Sequence, residues 1–245
     1  MNYIEWCVKK PNKLAGRTHE EWLQEYTRWV FGPFPYHRKG TPLFVHGNFN
    51  AMGCRKEINL KDGPDSSVTI FRNDPIILDV MNANFIIGDV NRLGDVIQND
   101  IDIIRALDFE DQMHSQGKVE FKKIDDRSFT DLSTCVEEVR ALPFQFLVSK
   151  YNPYLEEWDI PMPWGTQRGA MSSQLLLFKI PEEGEYFLRF EARSFSNFES
   201  CGIYQIIVID RNTTPSQHRN LKDRYADLKD RVLSTTTGKI VSLDG

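Results

Sequence analysis

Residues 181–200 read PEEGEYFLRFEARSFSNFES. From Tyr186 onward apolar and charged residues alternate with a period of two, the signature of a half-buried strand. One face carries Tyr186, Leu188, Phe190 and Ala192. The other carries Glu185, Phe187, Arg189, Glu191 and Arg193. Pro181 and Gly184 supply a turn before it, so the stretch reads as the closing hairpin of a sandwich. Phe187 breaks the charged face and is expected to be covered by another element or by a partner.

The flanking segments extend the pattern. QLLLFKI before it and GIYQIIVID after it read as strands. Further upstream, 42–48, SSVTIFRNDPIILDVMNANFIIGD, KVEFKKIDD and PFQFLVSK give more. Within the second of these, turn-forming residues predict breaks at Asn73–Pro75 and at Asn82–Asn84. YNPYLEEWDIPMPWGTQRGAMSS reads as a long irregular loop, and FTDLSTCVEEVRAL as a short helix or loop. The fold class is therefore mainly β: an antiparallel β-sandwich, jelly-roll-like, with an N-terminal helix, a helical insert and a C-terminal amphipathic helix.

Three helices are expected. Thr18 and Glu21 form a capping-box pattern ahead of Trp22, Tyr26, Trp29 and Val30, a stripe that lies on a sheet, and Gly32–Pro33 ends the run. Ile97, Ile101, Ile104 and Leu107 keep helical spacing in the insert, with Gly117 as a stop. Leu221, Tyr225, Leu228 and Val232 alternate four and three apart in a C-terminal helix, a candidate partner-binding stripe. The domain reading is an N-terminal extension at 1–17, a β-sandwich domain at 18–212 with its helical insert near 95–116, and a C-terminal helix and tail at 213–245.

The 245 residues carry a net charge of −5 and 27% charged residues, so no basic field points to nucleic acid. No apolar run approaches the roughly 18 residues that span a bilayer. The N-terminal MNYIEWCVKKPNK lacks the basic-then-apolar pattern of a signal peptide. The four cysteines, Cys7, Cys54, Cys135 and Cys201, form no CxxC pair. Together these suggest a soluble protein with free thiols, made in the cytoplasm without an export signal.

Enzyme signatures are missing: the chain has no GxGxxG, P-loop, GxSxG or HExxH, and no two of its histidines share a local metal-pair spacing. His46 reads as a structural strand histidine. DVNRLGDVIQND places Asp89, Asn91, Gly94, Asp95 and Asp100 at calcium-loop positions, although Leu93 stands where a ligand belongs and the last acid is Asp rather than a bidentate Glu. Asp89, Asn91, Asp95 and Asp100 are thus candidate metal ligands, set against an acidic helix start that complements the helix dipole. Tyr151, Tyr154, Trp158 and Trp164 are candidate glycan-binding rings, with Glu156, Glu157 and Asp159 beside them. The alternative is that Trp158 and Trp164 fold back over one end of the sandwich.

The order of EEWLQEYTRWVFG, TPLFVHGNF, SSVTIFRNDPIILDVMNANF and SQLLLFKIPEEGEYFLRFEA resembles an uncharacterised family of small bacterial β-sandwich proteins with a Trp-rich N-terminal helix. The resemblance covers about residues 18–209 and implies the sandwich, with no assigned activity and no catalytic residues. The expected function is a non-enzymatic structural or adhesive protein, one component of a larger assembly such as a phage virion. The alternatives are a carbohydrate-binding module using the aromatic loop and a hydrolase with acids from separate loops. No cofactor is expected. Protein partners or self-assembly, or a glycan, are expected, and neither nucleic acid nor membrane.

Overall fold

A computed structural model describes residues 2–32, 40–45, 48–49, 66–150, 152, 163–193 and 199–212. The chain is mainly β, in two sheets. In the first, β1 (Leu43–Val45), β4 (Pro75–Ile86), β9 (Gly165–Lys179) and β7 (Glu137–Arg140) follow in that order, and β8 (Phe144–Val148) also pairs with β9. In the second, the order is β2 (Asn48–Phe49), β11 (Glu199–Ile209), β10 (Gly184–Arg193), β5 (Lys118–Lys123) and β6 (Thr130–Asp131), and β3 (Ser66–Phe71) also pairs with β11. The pairs β1–β4 and β3–β11 are parallel, so the sheets are of mixed orientation and not antiparallel throughout. Among the described residues no sheet closes into a barrel. No helix there is long and apolar enough to cross a membrane.

One apolar cluster joins the sheets. Ile76, Leu78 and Val80 of β4 and Leu176 and Phe178 of β9 meet Val119 and Phe121 of β5, Tyr186, Leu188 and Phe190 of β10, and Ile206 and Val208 of β11. The expected inward face of β10 is thus in the core. The strand pairs with β11 over its whole length, Gly184 opposite Val208 and Arg193 opposite Glu199. The turn at Pro181–Gly184 has a different role from the one its sequence suggests. It carries the chain from β9 in one sheet to β10 in the other; the hairpin is the next one, β10–β11. Phe187 is half-buried on the outward side, with the Lys122 ammonium 5.9 Å from its ring centre.

The runs PIIL in β4 and LLLF in β9 are apolar on both faces because both faces are covered. Ile77, Leu175 and Leu177 point away from the second sheet. There they meet Trp22, Leu23, Tyr26, Val30 and Phe31 of α1 (His19–Phe31). The capping box forms: Thr18 Oγ1 accepts from the Glu21 amide at 3.2 Å, and Glu21 accepts from the Thr18 amide at 2.7 Å. Gly32 caps the other end. The first residues also dock, with Tyr3 buried and Trp6 ringed by Tyr3, Phe121 and Tyr186.

Three boundaries differ from expectation. Asn82–Asn84 do not break β4, which runs unbroken to Ile86 with a bulge between Asp79 and Met81. Asn82 donates its amide to the buried Asp79 carboxylate, which also accepts from Ser173 Oγ at 2.6 Å, so the polar residues are satisfied inside the strand. GTQRGAMSS is the first half of β9, not loop. Its small residues allow close approach: a Cβ on Gly169 would lie 2.4 Å from the Phe85 carbonyl oxygen. FTDLSTCVEEVRAL resolves into β6, a 3-10 turn at Ser133–Cys135, and β7.

The insert contains α2 (Asp100–Asp111), whose buried stripe is Ile103, Ala106, Leu107 and Glu110; of the expected stripe, Ile97 and Leu107 are buried, Ile104 is half-buried and Ile101 is exposed. It packs on Ala83 and Phe85 of β4 and Ala170 of β9. Gly117 does not stop the helix, which ends at Asp111. It lies just before β5, where a Cβ would sit 2.3 Å from Val80 Cγ1.

Candidate functional site

Residues 87–99 leave the end of β4 and return to α2 as a short two-sided loop. The Gly88 amide donates to Ile97 O at 2.8 Å, the Ile97 amide to Asp89 O at 2.8 Å, and the Asn91 amide to Asp95 O at 2.9 Å. The tip is fixed by Asn91, whose Oδ1 accepts from the Leu93 and Asp95 amides at 2.9 Å each. Such Asx bonding replaces the ladder at a turn. Gly94 adopts φ 88°, a conformation that favours glycine there. Ile97, fully buried with Ile103 and Leu107, anchors the loop to the protein.

The four candidate metal ligands are placed on this loop and at the start of α2, and their polar atoms have local partners. Asp89 turns back to accept from the Ile86 amide at 2.8 Å, and burial raises its carboxyl above the usual range. Asn91 serves the tip amides, with Asp95 beside it. Asp100 takes two bonds from Arg168, which hold its carboxyl below the usual range. Among the described residues no group of three or more His, Cys, Asp or Glu side chains is arranged to hold a metal ion.

Three further acids of α2 are also matched to arginines. Arg140 of β7 bonds both Asp108 and Asp111, and Arg92 bonds Glu110. Ser172 donates to Asp111, and burial pushes the neighbouring His114 below the usual imidazole range. These contacts tie α2 to β7, β9 and the loop.

The loop presents apolar side chains to solvent. Ile87, Val90, Leu93, Val96 and Ile101 are between 38% and 72% exposed, with Phe109 further along α2. Five exposed large aliphatic side chains thus fall within fifteen positions of the chain, a concentration of the kind found at interaction sites. The helical spacing of Ile101 with Ile97, Ile104 and Leu107 does not reveal this exposure. The signal was an apolar residue at nearly every third position inside the turn-rich IGDVNRLGDVI, a pattern with no buried helix or strand to serve.

Trp164 is the described member of the aromatic set. It is exposed, with the Lys150 ammonium 4.6 Å from its ring centre. Tyr151, Tyr154, Trp158 and the acids at 156, 157 and 159 lie outside the described residues. So do His46 and the stripe Leu221, Tyr225, Leu228 and Val232. Cys7 and Cys135 are free, as expected, but Cys201 is disulfide-bonded, which corrects the expectation of free thiols throughout. Wide spacing in sequence concealed it, since strand pairing brings distant residues together. No protein-family model matches the chain, and neither does any curated protein.

Proposed function

We propose that the chain is a non-enzymatic structural protein, a jelly-roll-like β-sandwich that works as a component of a larger assembly such as a phage virion, and that the loop at 87–99 with the start of α2 is its docking surface. One observation carries this reading: the exposure of Ile87, Val90, Leu93, Val96 and Ile101 on a loop whose shape is fixed by its own hydrogen bonds. A rigid apolar projection gains about 25 cal/mol for each Å² it removes from water, and it loses little conformational entropy on docking. The shared core of the two sheets supports the sandwich.

The occupant is a second copy of this chain. The apolar centre requires an apolar counterpart, and it supplies one itself under a two-fold axis. Charges of both signs, Arg92, Asp95, Asp102 and Arg105, are interspersed along the same stretch of sequence, so like charge does not oppose self-association. Amide hydrogen exchange at low and high protein concentration tests this. Residues 87–101 should gain protection as concentration rises; unchanged exchange there would overturn the reading.

A second reading, glycan binding, is favoured by the exposed ring of Trp164. An exposed indole can stack on sugar C–H groups through the face opposite the Lys150 ammonium. A glycan array with the wild type and Trp164→Ala tests it: a signal lost in the variant supports the reading, and no signal removes it.

A further inference from the structure

A cleft of about 480 Å³ opens beside the first turns of α1, at the edge of its contact with the sheet, lined by Arg17, Trp22, Glu25, Phe44, Asp74 and Arg211. Its walls come from the residues before α1, the first turns of α1, the start of β1, the β3–β4 turn and the residue run after β11. The volume lies in the range of small-molecule sites.

Two guanidinium groups dominate it. The Arg17 guanidinium carbon sits 5.1 Å from the Trp22 ring centre, and that of Arg211 sits 5.7 Å from the ring centre of Phe71. Stacking on a ring fixes the plane of a guanidinium while leaving its N–H edge free to donate. Each is loosely paired: Arg17 Nη1 is 3.3 Å from Glu25 and Arg211 Nη2 is 3.5 Å from Asp74. Glu25 is shared with Arg28 at 2.8 Å. Arg168, by contrast, holds Asp100 through two bonds of 2.8 and 2.6 Å. Arg17 and Arg211 keep 46% and 69% of their side chains exposed, so most of their donors remain available.

The two acids in the cleft are already engaged. Asp74 is buried, and its Oδ2 accepts from the Phe71 amide at 2.9 Å and the Gly40 amide at 3.2 Å. Its role is to fix the β3–β4 turn, where Asn73 takes φ 66°. With both acids occupied and the Trp22 ring buried, neither a cation nor a stacked sugar ring has a partner here. What the cleft offers is two preorganised hydrogen-bond forks, the geometry that recognises carboxylate and phosphate.

We infer that this cleft binds a small molecule bearing an oxyanion, a carboxylate or a phosphate monoester, held between Arg17 and Arg211. Inorganic phosphate and acetate are the probes, titrated separately into the isotope-labelled full chain at constant ionic strength in chloride. The Trp22 indole N–H, which donates to Leu14 O at 2.9 Å, and the Phe71 and Gly40 amides are the reporters. Their signals should shift saturably with at least one probe, and the probe that binds tighter identifies the head group. Arg17→Gln and Arg211→Gln should each weaken binding at least tenfold. Arg72→Gln, whose partner is Asp210 at 2.9 Å, should bind as the wild type does. If Arg17→Gln disturbs α1, Arg211→Gln carries the test, because Arg211 lies outside α1, just after β11. Shifts that fail to saturate with both probes, or that persist in Arg211→Gln, would overturn the inference.

Discussion

Arg168 on β9 holds Asp100, the first residue of α2, through two hydrogen bonds of 2.8 and 2.6 Å. The bond from Arg168 keeps the Asp100 carboxyl below the usual carboxylate range. A depressed folded-state value contributes stability at neutral pH, and that contribution is lost as acidification protonates the carboxyl. In Arg168→Ala, Asp100 should titrate at a higher pH than in the wild type, as followed by carboxyl NMR. The amides at the start of α2 should also exchange faster. An unchanged Asp100 titration would show that the pair does not hold in solution.

Two histidines, His19 buried and His114 half-buried, make the protein sensitive to acid. His19 is buried with its Nε2 3.0 Å from Val8 O, and burial lowers its imidazole below the usual value; His114 is lowered for the same reason. A lowered folded-state value means that the unfolded chain binds the proton first, so stability falls as pH drops below about 6.5. Urea unfolding at pH 7 and at pH 5.5 should show this loss, and it should be smaller in His19→Gln. Equal pH dependence in the variant would exclude His19 as a source.

Gly169 and Phe85 meet too closely for a side chain between them. Gly169→Ala should destabilise the protein by about 1–3 kcal/mol, the usual cost of overpacking. Thr166→Ala, at an exposed position of the same strand, should change stability by less than about 0.5 kcal/mol. Chemical denaturation of both variants measures the difference.

The same contact explains what sequence could and could not show. The capping box at Thr18 and Glu21, the inward face Tyr186–Leu188–Phe190 and the aromatic stripe of α1 follow from local spacing, and the structure has them. GTQRGAMSS looked like loop because Gly169, Ala170 and Ser172 have low strand preference. Tertiary crowding by Phe85 and Ile86 selects such small residues, and one sequence does not display that crowding. The turn at Pro181–Gly184 was legible as a turn but not as a passage between sheets, since turn chemistry does not specify which strands pair. In the candidate site, Asn91 and Gly94 were visible as loop formers. The exposure of Val90, Leu93 and Val96 was not, because an apolar residue is by default assigned to a core.

The thiols can be counted directly. Alkylation in denaturant without reductant should modify Cys7 and Cys135 and leave Cys201 untouched until a reductant is added, as read by peptide mass mapping. Modification of Cys201 without reductant would show that the disulfide does not form.

Association through the projection at 87–101 is tested most directly by solution mass. Light scattering at micromolar concentration is the measurement, on the wild type and on the double variant Val90→Asp with Leu93→Asp. Both positions are solvent-exposed, so the variant should fold as the wild type does. The expected result is a wild-type mass of at least two chains that falls on dilution, and a variant that stays a monomer. A wild type that remains a single 245-residue chain at every concentration, or a variant that associates equally well, would contradict it.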